Sequence, residues 1–249
     1  MIGETGPVRS SPFVLVHGSF HGGWCWKPLA ASLRLAGHDV FSPTQTGLGE
    51  RRHLMSAEIT IETFILDVLN LLVTEDLWDV VLVGHSFGGR AVCGVADRIP
   101  ERIKRVVFID AGLPENGRSR LETMPAEASA ARIAASMAFD GGISVPPPPA
   151  TRFDITDPEQ IAWVERGLTP QPLGAEKTAI TLQNPLGNSL PVTYIHCIQP
   201  AFAVTESSAA HARAQAGWRF IEFPGGHSAI ITHPDVMAQV LLEESRLID

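Results

Sequence analysis

The sequence predicts an α/β fold, a mostly parallel sheet covered by helices on both faces, interrupted by a helical insertion. Three observations predict it. Short β-rich runs alternate with longer stretches of helical periodicity, the signature of parallel strands joined by crossover helices. Strand runs such as Phe13-Val14-Leu15-Val16 are apolar at every position, as in a strand buried on both faces. The alternation breaks once, after residue 112, and resumes near residue 187.

Element by element, the first strand is Phe13 to Val16, ending at His17-Gly18. A helix follows over Trp26 to Ala36, stopped at Gly37, and a second strand over Asp39 to Phe41, stopped at Pro43. Thr44 to Ala57 reads as a loop rich in Gly, Thr and Arg. Ile61, Phe64, Ile65, Val68, Leu69 and Leu72 recur at helical spacing and form one apolar stripe. Asp79 to Val83 is the third strand, Ser86 to Ile99 a helix closed by Pro100, and Val106 to Ile109 the fourth strand.

Residues 113–186 show no strand pattern. They hold an Ala-rich helix near Ala126 to Ala138, a proline run from Pro146 to Pro149, and a helix with Asp157 as N-cap and Pro158 at its first position. This segment reads as an inserted helical cap, leaving a core split between residues 12–112 and 187–249. The core resumes with a strand over Val192 to His196, a helix near Ser207 to Ala216, a strand over Trp218 to Phe223 and a last helix from Pro234.

A chain of 249 residues suits one large α/β domain. Its formal net charge of −8 argues against nucleic acid or an anionic membrane as partner, since both need a basic face. Three cysteines, Cys25, Cys93 and Cys197, make neither a disulfide framework nor a zinc site and fit a reducing compartment. Met1 to Ser11 lacks the basic start and apolar run of a leader, and no apolar stretch approaches the ~18 residues that span a bilayer. The expectation is a cytoplasmic protein without metal or cofactor, whose partner is a small molecule; whether it forms a homodimer stays open.

Gly84-His85-Ser86-Phe87-Gly88 fits G-x-S-x-G and lies between a strand and a helix. In that setting the turn is so tight that the serine takes a strained conformation and presents Oγ at the sheet edge. The helix N-terminus then offers N–H groups and positive dipole to a developing oxyanion. The competing reading is an ordinary glycine turn. A second donor has to come from another loop, and His17-Gly18-Ser19-Phe20-His21-Gly22-Gly23 is the glycine-rich candidate. The N–H groups of Ser19 and Phe87 are therefore the expected oxyanion hole.

A serine nucleophile needs a base. His227, in Gly225-Gly226-His227-Ser228 between the last strand and the last helix, is the candidate. His196 sits inside a strand run, His233 precedes Pro234, and His17 and His21 shape the glycine loop. His38, His53 and His211 have no supporting context. Phe20, His85 and Trp163 are the candidate substrate-binding residues. Met124, Met137, Phe139, Phe153 and Trp163 of the insertion are available to line an apolar pocket.

Val14-Leu15-Val16-His17-Gly18, His21-Gly22-Gly23-Trp24-Cys25-Trp26 and the elbow through Gly89 resemble the plant methylesterase and hydroxynitrile lyase branch of the α/β-hydrolases. Thr46-Gly47-Leu48-Gly49-Glu50-Arg51 and Val107-Phe108-Ile109-Asp110-Ala111 are similar to that branch's bacterial esterase relatives. The resemblance implies an α/β-hydrolase fold with a six-stranded core, a helical cap, a Ser-His-Asp triad and no cofactor. Its lyases carry lysine directly after the catalytic histidine, where this chain has Ser228, which favours ester hydrolysis.

One departure bears on the triad. The branch places its aspartate in the loop after the strand that here reads Val192 to Cys197, and that loop, Ile198-Gln199-Pro200-Ala201-Phe202, holds no carboxylate. In other α/β-hydrolases, haloalkane dehalogenases among them, the acid stands at the end of the strand after the elbow helix. Asp110 occupies that place, with Glu206 and a dyad without an acid as alternatives. The reading is a serine hydrolase acting on a small, largely apolar ester or lactone. A lyase or C–C bond hydrolase on the same scaffold, or a non-catalytic binding protein, competes with it.

Overall fold

A computed structural model describes residues 10–247. The part of the amino-terminal stretch before residue 10 that was read for a leader lies outside the described residues. The first half runs β1 (Phe13–Val16), α1 (Lys27–Leu35), β2 (Val40–Phe41), α2 (Ile61–Thr74), β3 (Val80–His85), α3 (Gly88–Arg98) and β4 (Ile103–Ile109). Then come α4 (Ala126–Asp140), β5 (Ser144–Val145), α5 (Pro158–Gly167), β6 (Gln171–Pro172) and α6 (Leu173–Lys177). The chain finishes with β7 (Val192–Cys197), α7 (Glu206–Ala214), β8 (Arg219–Phe223), α8 (Ala229–Thr232) and α9 (Pro234–Arg246).

Six strands form one sheet in the order β2-β1-β3-β4-β7-β8, and every neighbouring pair is parallel. Alternate side chains of each strand feed two separate cores. Phe13, Leu15, Val81, Val83, Val107 and Ile109 face the side packed by α1 and α9. Val14, Val16, Val80, Leu82, Val106 and Phe108 face the side that holds α2 and α3. Ile61, Phe64, Ile65, Val68 and Leu72 of α2 are all buried in that second core. At about 1.5–3 kcal/mol per fully buried large apolar side chain, this stripe outweighs any propensity term in holding the helix. A reciprocal cap starts α2, in which Thr60 N–H donates to Thr63 Oγ1 at 3.1 Å.

The segment 113–186 holds short elements that its sequence reading lacks, the helix α6 among them. Two-residue strands β5 and β6 pair antiparallel within it. Neither Ser144-Val145 nor Gln171-Pro172 is long enough to show alternation, and Pro172 offers no N–H to a ladder. The helix start at Asp157 is as expected, its carboxylate accepting from Gln160 N–H at 2.8 Å. The glycine-rich loop opens on a 3-10 turn over Gly23–Trp26, and Gly49–Leu54 makes a second such turn within the Thr44 to Ala57 loop. Among the described residues, no helix is long and apolar enough to cross a membrane.

Candidate active site

The tight junction between β3 and α3 places Ser86. Its φ is +53°, in the left-handed region that non-glycine residues rarely adopt. A Cβ at Gly88 would stand 2.6 Å from the carbonyl oxygens of Val16 and His17, so glycine is needed for α3 to pass that close to β1. The turn is pinned to the end of β4. Ser86 N–H donates to Ile109 O at 3.2 Å, and Gly112 N–H donates to Ser86 O at 2.9 Å. These bonds hold the strained residue from both sides.

His227, in the loop after β8, stands over Ser86. Its Nε2 lies 3.0 Å from Ser86 Oγ, and its Nδ1 lies 2.6 Å from Asp110 Oδ2. Asp110 and His227 are both buried. A carboxylate only accepts, so Nδ1 carries the proton and Nε2 is left to accept from the serine hydroxyl. Asp110 itself is held by its N–H donating to Ile195 O at 2.8 Å and by Cys197 N–H donating to Oδ1 at 3.4 Å. Glu206 stands elsewhere: its Oε1 is 3.0 Å from His196 Nε2, and its side chain is half exposed.

Two rings fix the imidazole further. Phe202, in the loop after β7, stacks on His227 with centroids 4.0 Å apart and planes 25° from parallel. The Arg152 guanidinium also lies over the Phe202 ring, 5.6 Å from its centroid. His85 is buried; its Nε2–H donates to the His227 carbonyl at 2.8 Å, and the two rings are 4.8 Å apart. Burial, and next the charge of His227, hold His85 well below the ordinary imidazole range, so it acts as a neutral donor beneath the histidine loop.

Because β1 is hydrogen-bonded to β3, the loop after β1 meets the elbow. A Cβ at Gly18 would come within 2.7 Å of Ser86 Cβ. Among the described residues, no hydrogen bond engages the N–H of Ser19 or of Phe87. The loop is braced by neutral imidazoles. His17 Nδ1–H donates to Gly18 O at 2.8 Å, and its Nε2 accepts from Gln45 N–H at 3.0 Å. His21 Nδ1–H donates to Ser19 O at 2.8 Å. Burial drives His17 down to about 3 and His21 down to about 4, so both keep the tautomer these bonds require.

Phe20 follows with φ +67° and is buried. Its N–H donates to Gln171 Oε1 at 3.1 Å, a bond across 151 positions that ties the loop to the insertion. No motif marks Gln171 in the sequence. Phe202 and Arg152 were also missed, because a stack between distant loops leaves no local pattern. Trp163 is partly buried and meets Trp24 edge-on at 5.2 Å, while Trp24 stacks on His21 at 5.4 Å. Phe153 packs edge-on to His21 at 5.2 Å. Met137 and Phe139 point outward from α4, being more than half exposed, and do not join this aromatic group. Arg51 is paired with Asp67 at 3.1 Å.

Cys25, Cys93 and Cys197 are free thiols, all buried. Among the described residues, no group of three or more His, Cys, Asp or Glu is placed to hold a metal.

Comparison with known proteins bears on this geometry. Residues 13–240 match the model of the alpha/beta hydrolase family. A carbendazim hydrolyzing esterase from Nocardioides sp. (strain SG-4G) is 38% identical over 239 residues, spanning 92% of this chain and 97% of that protein. Putative methylesterase 14 of Arabidopsis thaliana is 28% identical over 189 residues, or 69% of this chain and 54% of that longer protein. Among solved structures, an extracellular alpha/beta-hydrolase from a Paenibacillus species superposes with a TM-score of 0.81 at 28% identity, covering 95% of this chain and all of that one. That protein is described as sharing structural and functional homology with tobacco salicylic acid binding protein 2.

Proposed function

The chain belongs to the alpha/beta hydrolase family, and from that premise we propose that it is a serine esterase that cleaves a small carboxylic ester or lactone through an acyl-enzyme. The observation that carries the reading is the continuous relay of Asp110 Oδ2 to His227 Nδ1 at 2.6 Å and His227 Nε2 to Ser86 Oγ at 3.0 Å. The esterase and methylesterase relatives support the reaction class.

In this reading Ser86 Oγ attacks the ester carbonyl while His227 Nε2 takes its proton. Asp110 holds the tautomer and stabilises the imidazolium. The tetrahedral oxyanion is bound by the N–H groups of Ser19 and Phe87, neither of which is engaged by another group among the described residues. Collapse expels the alcohol, which takes the proton from His227. Water activated by the same imidazole then frees the acid. Residues 113–186 act as the cap over this site, with Phe20, Phe153 and Trp163 giving the substrate pocket a largely apolar wall. His85 acts on the substrate only through the His227 backbone that it supports.

The test is hydrolysis of p-nitrophenyl butyrate by the wild type and by Ser86→Ala. Hydrolysis that falls by several orders of magnitude in the variant is expected. Equal rates in the two proteins would overturn serine catalysis.

A further inference from the structure

One side of the site is not apolar. Arg90, one helical turn beyond Phe87 in α3, is only 1% exposed. Its Nη2 donates to the Arg118 carbonyl at 2.9 Å, and its buried Nε has no hydrogen-bond partner among the described residues. A buried guanidinium ordinarily has a carboxylate on its fork, because desolvating the charge alone is costly. Arg90 has none bonded to it.

Its surroundings bring charges of both signs. Arg132 of α4 forks onto the buried Glu176 of α6 through Nε and Nη2, and the same guanidinium lies over the Phe20 ring, 5.3 Å from its centroid. Arg118 pairs with Glu115 at the surface. Each of these carboxylates is thus taken. Arg120, partly buried, has no carboxylate in bonding reach among the described residues. Burial first and then the charge of Arg120 push Arg90 down to about 10, although Cys93, Glu176 and Glu115 oppose the shift. Four arginines therefore face three glutamates, Glu122 beside Arg118 included, and the excess lies beside Phe20 and the first turn of α3. These are the two segments that the esterase reading places around the oxyanion.

We propose that Arg90 and Arg120 form a subsite for a carboxylate carried by the ester, so that the substrate is the monoester of a dicarboxylic acid. The proposal rests on the esterase reading and deepens it. The Arg132–Glu176 pair is the rigid brace that keeps the wall formed while Arg90 and Arg120 remain free for the ligand. Hydrolysis would release the alcohol and a dicarboxylate, whose second carboxylate leaves from the same subsite.

The experiment has a kinetic arm and a binding arm. In the first, acid release from monomethyl succinate, glutarate and adipate is compared with that from methyl pentanoate. At least one monoester should exceed methyl pentanoate in kcat/KM by about tenfold, and Arg90→Met should lower that ratio by about tenfold or more. Arg120→Met provides a second variant should Arg90→Met fold poorly. In the second arm, glutarate binding to Ser86→Ala is measured by calorimetry, which needs no turnover. Saturable binding that Arg90→Met or Arg120→Met weakens supports the subsite even if no ester is cleaved. Methyl pentanoate favoured by the wild type, with no glutarate bound, overturns the subsite and leaves the esterase reading standing. Glutarate bound with no ester hydrolysed would overturn the esterase reading alone.

Discussion

His227 Nδ1 and Asp110 Oδ2 lie 2.6 Å apart, although β7 separates the strand that ends at Asp110 from the strand that leads to His227. The carboxylate spans that gap from a residue with φ +41°, which turns its side chain out of the sheet line. Asp110→Asn should leave the imidazole in place but present the wrong tautomer to Ser86. The expected loss in kcat is about 10³–10⁴. Glu206→Gln should stay within about twofold of wild type, since its partner is His196. Steady-state rates of the two variants on one activated ester decide the matter, and the reverse order would assign the acid to Glu206.

Gly18 is the second position where geometry makes a sharp demand. A methyl group there would sit 2.7 Å from Ser86 Cβ and 3.2 Å from Ser86 Oγ. Gly18→Ala must therefore move either the nucleophile or the loop that carries Ser19. A displacement near 1 Å is enough to cost about 10²-fold in rate. The variant should fold with little change in thermal midpoint, because the clash lies at the cleft and not in either core. Activity retained at the wild-type level would mean that the loop yields without disturbing the serine.

What could be read from the sequence, and what could not, follows from the range of the interactions involved. Strand runs, the α2 stripe and the Asp157-Pro158 helix start are local patterns, and the structure has them within a few residues. Ser86 and His227 are legible as candidates because a tight strand-to-helix turn and a histidine preceded by two glycines leave compact signals. The two-residue strands of the insertion and the short helices α6 and α8 were not, being too short for any period to appear. The partners of the site, Gln171 on Phe20 and Phe202 on His227, lie far from them in sequence and obey no spacing rule. Only the fold brings them together. Asp110 is a candidate from its place at the end of the strand after the elbow helix, the position that the acid takes in other α/β-hydrolases.

Phe202 should act as a positioning residue. Its ring covers one face of His227 at 4.0 Å, while Arg152 lies over the same phenyl ring at 5.6 Å. Such a stack is worth about 0.5–1.5 kcal/mol beyond the area it buries. Phe202→Leu keeps the apolar cover and removes the flat contact, so kcat should drop by about 2- to 12-fold with little change in KM. Phe202→Tyr should restore most of the loss. A fall in the thermal midpoint with no change in kcat would assign the ring to packing alone.

The loop histidines predict how the fold responds to acid. His17, His21 and His85 are held neutral by burial, at about 3, about 4 and well below 6.5. Between those values and the ordinary 6.5, the unfolded chain binds protons that the native state refuses. Stability therefore rises with pH across this window and is lost as pH falls from 6.5 toward 4. Each histidine contributes a slope of at most about 1.4 kcal/mol per pH unit. Urea unfolding measured at intervals between pH 7.5 and 4.5 should show the loss beginning below pH 6.5. His21→Asn should flatten the curve by about one histidine's share, because the amide can still donate to Ser19 O but takes up no proton on unfolding. A wild-type curve that is level from pH 6.5 to 5 would mean that these imidazoles are charged in the native state, and that His17 Nε2 does not accept from Gln45 N–H as described.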